Sequence, residues 1–422
     1  AVLPWVQIDA AERQLLKSPA TPIVLLRRRH LAEEAFPGVA PASAALGVML
    51  PASPLHLLLT EAVGRPLVAT SGNRSGELLC TDPAEAIERL GSRLGSEPIA
   101  DAFLVHNRPI AHPIDDSVAQ VVDGHPMLLR RARGYAPEPL RLPVPPAPER
   151  CLLAVGADLK SAPALLVEGK VWLAPYGGDL AGLAQQQRLA AGLAELSHRH
   201  GAQLEAIVLD RHPGYVSREL AVEQARAAQL PHAEVQHHVA HGLVVAAEHG
   251  LLLPLLAIGW DGLGYGDTPN QPLWGGELLL LAPTPAGVEV TRLAALRPFP
   301  LIGAEQAMRE PRRAALGLLA AAGEAWESHP AAAHCREAFA PDQLALLLQA
   351  LNAGCNAPRT SSVGRLIDAV ASLLGCCQIL STEAEGGIRL EGLAAQASPD
   401  GPAYPLPLHS TTDAEAPLMG WL

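Results

Sequence analysis

The apolar positions fall into two textures separated by a break. Up to residue 135, short apolar runs such as PIVLLRR, PLVATSG and MLLRRARG alternate with polar stretches of helical spacing, Asp82 to Leu94 among them. Runs this short read as strands of an α/β domain, one that lacks its N-terminal part. From residue 150, CLLAVGADLKSAPALLVEGKVWLA divides into three strands, with Glu168-Gly169 as a tight turn between the second and third. A helix over Leu180 to His200 follows, then the strand AIVLD ending at Asp210, a helix from Ser217, the strand LLAIGWD ending at Asp261, and strands around Glu277 to Leu281. Asp210 and Asp261 are thus expected at strand C-termini, the edge where α/β sheets gather ligands and metals.

The break is APEPLRLPVPPAP, where prolines at 137, 139, 143, 145, 146 and 148 exclude helix and central strand alike. It divides the chain into residues 1–135, a linker over 136–149, and residues 150–422.

Composition narrows the class of function. With 31 Lys+Arg against 43 Asp+Glu, the formal charge is −12, which gives no general attraction for nucleic acid or anionic lipid. The most apolar stretch, Gly242 to Trp260, is interrupted by Glu248, His249 and Pro254, so it is no uninterrupted span of about 20 apolar residues. Neither a basic n-region nor an apolar h-region opens the chain. The six cysteines form no C-x-x-C, and adjacent Cys376 and Cys377 sit in core-like flanks, a usage expected of a reducing, cytoplasmic compartment.

Four segments carry candidate chemistry. In VQHHVAHG, His237 and His241 stand four residues apart on one helix face, and with Asp261 could ligate one zinc or iron ion, with His238 as a possible surface member. An ordinary helix pair is the bland reading. In WDGLGYGDTPNQPLWGGE, Asp261 leads into a loop whose Gly262, Gly264, Gly266, Gly275 and Gly276 could admit phosphate oxygens, unless the segment is a long glycine-rich hairpin. NAPRTSSVGRLIDAV places Ser361, Ser362, Gly364 and Arg365 before an apolar helix with Asp368 in its first turn, an anion cradle or a plain N-cap by Thr360 or Ser361. Nearer the start, Ser71 and Asn73 follow a strand, and Asp115, Asp116, Ser117, Arg130, Arg131 and Arg133 cluster. Such forks suit a triphosphate, or else the arginines merely answer the aspartates.

Taken in order, ATSGNRSGE, HNRPI with DDSV, RRARGYAPEPL, AVGADLK, DRHPGY, VQHHVAH, DGLGYG with WGGE, and NAPRTSSVGRLIDA resemble the HypF carbamoyltransferases of [NiFe]-hydrogenase maturation. The resemblance covers nearly the whole chain. It implies a partial YrdC-like α/β domain, then a Kae1-like domain of the actin/Hsp70 ATPase (ribonuclease H-like) fold. The family's acylphosphatase-like and zinc-finger regions, the first half of its YrdC-like domain and its final glycine-rich Asp motif are not matched.

The implied reaction joins carbamate from carbamoyl phosphate to ATP, with Mg²⁺, and passes the carbamoyl group from carbamoyl-adenylate to the C-terminal Cys of HypE. Residue by residue, Ser71, Asn73, Ser117, Arg131 and Arg133 match adenylate-forming positions. His237, His241 and Asp261 match ligands of one Zn²⁺ or Fe²⁺, and Lys160, Gly262, Gly264, Gly276, Ser362, Gly364 and Asp368 match the second nucleotide site. Val239 and Leu263 depart from a usual His and Thr, Ala174-Pro175 from Ser-Gln, and Glu383-Ala384 from Glu-Gly. Small-molecule O-carbamoylation, tRNA threonylcarbamoylation and a nucleotide-binding remnant without turnover remain alternatives. The acidic balance disfavours tRNA.

Overall fold

The computed structural model describes residues 2–29, 38–41, 43–74, 76–91, 98–268, 271–285, 287–323, 326, 329–397, 401, 407–409 and 418–419. They form two compact units, Ala1–Val39 with Ala45–Glu234, and Ala40–Ala44 with Val235–Leu422.

In the first unit a capping box starts helix α1 (Ala10–Leu16): the Asp9 side chain accepts from the Glu12 N–H, and the Glu12 side chain answers the Asp9 N–H. The helix buries Leu15 and Leu16 against Val24, Leu26, Leu46, Val48 and Ala119. Those residues lie on a sheet of β1 (Ile23–Arg27), β2 (Ala45–Val48), β3 (Val118–Val122) and β4 (His125–Arg130), in the order β2-β1-β3-β4. Helices α2 (Pro54–Val63) and α3 (Pro83–Gly91) connect β2 to β3. The strand expected at PLVATSG is absent: residues 66–70 carry no regular structure, with Leu67 and Val68 exposed. An apolar run becomes a strand only where a neighbouring backbone completes its ladder, and none does so here among the described residues.

The second sheet of this unit holds β5 (Leu152–Ala154), β6 (Ala164–Val167), β7 (Lys170–Leu173), β8 (Ala206–Asp210) and β9 (His232–Val235), ordered β7-β6-β5-β8-β9. The expected three-strand meander is present, and Glu168 and Gly169 turn it with φ of 52° and 69°. Helices α4 (Leu183–Arg199) and α5 (Val216–Ala227) bury Leu189, Leu193, Ala221 and Ala225 against Leu153, Leu165, Ile207 and Leu209. The proline-rich segment is tied to this sheet, since the Leu140 N–H donates to the Val171 carbonyl at 2.7 Å.

The second unit opens with α6 (His237–His249) and another antiparallel meander, β10 (Leu255–Thr268), β11 (Gln271–Thr284) and β12 (Gly287–Leu296). Val239, Ala257, Trp274, Leu279 and Leu281 form the core between helix and sheet, so the departure from His at 239 is a packing residue. Next come β13 (Phe299–Pro300), α7 (Pro311–Ala322), α8 (Ala333–Glu337), α9 (Pro341–Asn352), β14 (Arg359–Thr360), α10 (Val363–Leu373) and α11 (Glu385–Ala394). Phe299, Ile302, Leu316 and Leu347 anchor their shared core. The five-stranded sheet of the first unit and the sheet of the second unit each contain a three-strand antiparallel meander. No helix among the described residues is long and apolar enough to cross a membrane.

Three local expectations are corrected. Asp261 does not end a strand: β10 runs through it, and the pairing with β11 shifts register between Trp260 and Gly264. The glycine-rich segment is a hairpin rather than a phosphate loop, because its glycines admit neighbours at close approach. A Cβ on Gly264 would lie 2.3 Å from His238 Cε1, on Gly266 2.1 Å from Trp274 Nε1, and on Gly275 2.5 Å from Ser362 Cα. Finally, Ser362, not Thr360 or Ser361, caps α10, which puts Asp368 in the second turn.

The α7–β13 packing is as tight. A Cβ on Gly317 would lie 1.9 Å from the Pro300 carbonyl oxygen. Gly317→Ala is expected to lower stability, because overpacking costs about 1–3 kcal/mol or more, against roughly 1 kcal/mol of helix propensity gained. The guanidinium unfolding midpoint reads this, and an unchanged or higher midpoint refutes it.

Candidate functional site

Gln236 caps α6: its Oε1 accepts from the Val239 N–H at 3.0 Å. Helical spacing then stacks His237 and His241 one turn apart, their Nε2 atoms 3.3 Å from each other. Facing them, the irregular stretch of β10 presents Asp261, whose Oδ2 lies 3.2 Å from His237 Nε2 and 4.0 Å from His241 Nε2. One ligand atom from each of the three fits within 4.8 Å of the others. The Gly262 N–H holds Asp261 Oδ1 at 2.6 Å, turning Oδ2 toward the histidines.

His238 is not the surface member. It is 1% exposed, because one step along a helix turns a side chain by about 100°, here into the core. Burial drives its pKa down to about 4, leaving a neutral imidazole at pH 7. Burial also pushes the Asp261 carboxyl upward, but His237, the Gly262 N–H and the adjacent imidazoles outweigh that and hold it below its ordinary value. Asp261 is therefore an anion amid ring nitrogens. Its Oδ2 is buried with no hydrogen-bond partner among the described residues, an orphan acceptor that a cation would satisfy. Two imidazoles and one carboxylate fit a borderline divalent ion such as Zn²⁺ or Fe²⁺.

The N-terminus of α10 abuts this cluster. Ser362 Oγ accepts from the Arg365 N–H at 3.0 Å and donates to the Gly262 carbonyl, beside Asp261. Gly364 packs on Gly262, where a Cβ would stand 3.1 Å from its Cα. The Gly276 N–H donates to the Ser361 carbonyl at 2.8 Å, and Ser361 Oγ donates to Glu277. Glu277 is wholly buried and paired with Arg292 at 2.8 Å; Arg292 in turn lies 4.3 Å above the Trp274 ring. Burial raises the Glu277 and Asp368 carboxyls. Asp368 is 3% exposed and ion-paired with Arg365 at 2.7 Å, one turn deeper than the helix end.

Gly262, Gly264, Gly276, Ser362 and Gly364 are thus gathered around His237, His241 and Asp261. Sequence reading missed Gln236, the burial of His238, and the Trp274–Arg292–Glu277 network. A signal existed for Glu277, which closes WGGE, but nothing in sequence announced its partner fifteen positions on.

The other residues singled out lie in the first unit. Ser117 is buried, its Oγ donating to the Arg133 carbonyl at 2.9 Å and accepting from the Ala132 N–H at 2.8 Å. Arg133 pairs with Asp116 at 2.7 Å and donates to Thr21, while Arg131 donates to the Tyr135 and Glu138 carbonyls. These three therefore brace the 131–138 segment, with Arg133 answering an aspartate. Asn73 Nδ2 donates to the Arg74 and Glu77 carbonyls within its own turn, and Ser71 is exposed beside it. Lys160 has a φ of 52°, and its N–H donates to Asp179 Oδ1 at 2.8 Å.

Comparison with known proteins matches three family models. Residues 2–132 fit one described as telomere recombination, 147–248 the HypF Kae1-like domain, and 257–419 the second subdomain of the carbamoyltransferase Kae1-like domain. The carbamoyltransferase HypF of Synechocystis is 39% identical over 96% of this chain and 52% of its own length. That of Rhodobacter capsulatus is 40% identical over 93% and 51%. The chain thus spans about half the length of the curated relatives it matches. A full-length HypF crystallised in a phosphate- and nucleotide-bound form is 32% identical with a TM-score of 0.86, over 99% of this chain and 61% of that one.

Proposed function

Because the chain belongs to the HypF family, with a YrdC-like segment followed by a Kae1-like fold, we propose that it carries out part of the reaction of a carbamoyltransferase of hydrogenase maturation. The observation that carries this reading is the convergence of His237, His241 and Asp261 beside the Ser362-capped helix end. In the proposed sequence, carbamate oxygen attacks the α-phosphorus of ATP and pyrophosphate leaves. A HypE-type C-terminal cysteine thiolate then attacks the carbamoyl carbon, and the carbon–oxygen bond to AMP breaks. The adenylate-forming step belongs to the Ser71, Asn73, Ser117, Arg131 and Arg133 region. Ser117 and Asp116 act there by fixing where Arg133 stands.

In the transfer step the nucleotide lies against the N-terminus of α10. Free N–H groups and the helix dipole favour phosphate there, beside Gly262, where a Cβ would meet nothing within 4 Å. His237, His241 and Asp261 would hold a Zn²⁺ or Fe²⁺ ion, which when bound supplies Lewis-acid stabilisation of negative charge. Asp368 is assigned to that nucleotide by resemblance, and serves by orienting Arg365.

The test supplies carbamoyl-adenylate and a HypE-type protein ending in Cys, and counts carbamoyl groups on that thiol by mass spectrometry. One group above the no-enzyme control, lost in His237→Ala, is expected. No modification by zinc-loaded protein that binds nucleotide would overturn the assignment of transfer to this chain.

A further inference from the structure

His238 has no part in the proposed ligand set, yet it is the most enclosed of the three histidines. Gly259 and Gly264 make room for it, since a Cβ on either would fall 3.0 or 2.3 Å from its ring. Its surroundings determine where its proton sits. The Val239 N–H must donate, so the Gln236 amide turns Oε1 toward it and directs Nε2 the other way. That NH₂ group donates to the Tyr265 carbonyl at 3.0 Å and meets His238 Nδ1 at 3.1 Å. An amide nitrogen cannot accept, so Nδ1 is the acceptor, and the proton of the neutral ring is on Nε2. Among the described residues Nε2 is buried with no hydrogen-bond partner, and 3.6 Å away stands Asp261 Oδ2, also buried and without one.

We infer that His238 is a positioning residue whose Nε2–H, fixed by Gln236, holds the Asp261 carboxylate toward His237 and His241. Two buried atoms of opposite polarity 3.6 Å apart close to a hydrogen bond with a small rotation of the carboxylate, which His237 Nε2 flanks at 3.2 Å. With the Gly262 N–H on Oδ1, both oxygens are then restrained, and Asp261 is pre-oriented before any ligand arrives. Restraint of this kind characterises the partners behind metal ligands. The inference rests on the metal-site reading for its consequence, but the proton position does not.

Two measurements separate these. In metal-free protein with ¹⁵N-labelled histidine, two-bond ¹H–¹⁵N spectra at neutral pH read the tautomer, with the His238 signals identified by their loss in His238→Gln. The Nε2–H form is expected, and an Nδ1–H form overturns the inference whether or not metal binds. Zn²⁺ affinity is then read by competition with a chromophoric chelator. His238→Leu is expected to weaken it by about 10- to 100-fold, while His238→Gln, whose amide nitrogen reaches where Nε2 stood, retains most of it. Equal losses in both variants, or none in either, would reduce His238 to a packing residue. If wild type and His237→Ala bind Zn²⁺ equally poorly, the metal reading fails while the tautomer result still stands.

Discussion

Asp261→Asn is expected to weaken Zn²⁺ binding by more than about a hundredfold, beyond what loss of a residue behind the ligands produces, and to abolish detectable carbamoyl transfer. The substitution keeps the shape of the side chain but removes the one anion among His237, His238 and His241. A proton-dependent signature accompanies it. The Asp261 carboxyl is held below its ordinary value, so its contribution to stability is complete above the unfolded-state carboxylate pKa and disappears as pH falls through the lower folded value. Melting temperatures of wild type and Asp261→Asn should therefore draw together only as pH falls below the ordinary carboxylate range. Equal Zn²⁺ affinities for the two proteins would dismantle the ligand assignment.

Glu277→Ala is expected to cost about 3–5 kcal/mol of stability, the range for breaking one side of a buried ion pair. The Arg292 side chain is 11% exposed and would lose its carboxylate, and Ser361 Oγ and the Gly275 N–H would lose their acceptor. The change should also loosen the Ser361–Ser362 turn against the β10–β11 hairpin, weakening nucleotide binding. Replacing both charges, Glu277→Leu with Arg292→Met, should recover most of the stability, because the cost arises from an orphaned charge rather than from the pair's own net attraction. Guanidinium unfolding midpoints of the two single variants and the double variant decide this. A single-variant cost under about 1 kcal/mol would mean that solvent reaches the pair.

Much of the architecture was legible because it is local. The Glu168-Gly169 turn, the meander it closes and the helix that follows depend on neighbours in sequence, as does the pairing of His237 with His241, which helical spacing alone brings together. PLVATSG shows the limit. Its apolar pattern is that of a strand, but a ladder needs a second backbone, and pattern cannot supply one. The glycines of WDGLGYGDTPNQPLWGGE show another. Their freedom from Cβ fits a phosphate loop and a close-packed hairpin equally, and only the approach of His238, Trp274 and Ser362 distinguishes the two.

Residue types and short-range spacing, then, determined which side chains this protein offers for chemistry: two imidazoles on one helix face, a carboxylate within a glycine-rich segment, and hydroxyls at a helix start. Tertiary structure decided what they can do together. The register shift in β10 aims Asp261 at His241 and His237, twenty and twenty-four positions away in the chain, and burial with Gln236 sets the proton of His238. Both depend on contacts between segments distant in sequence, where packing and desolvation, rather than local preference, fix the direction and charge of a side chain.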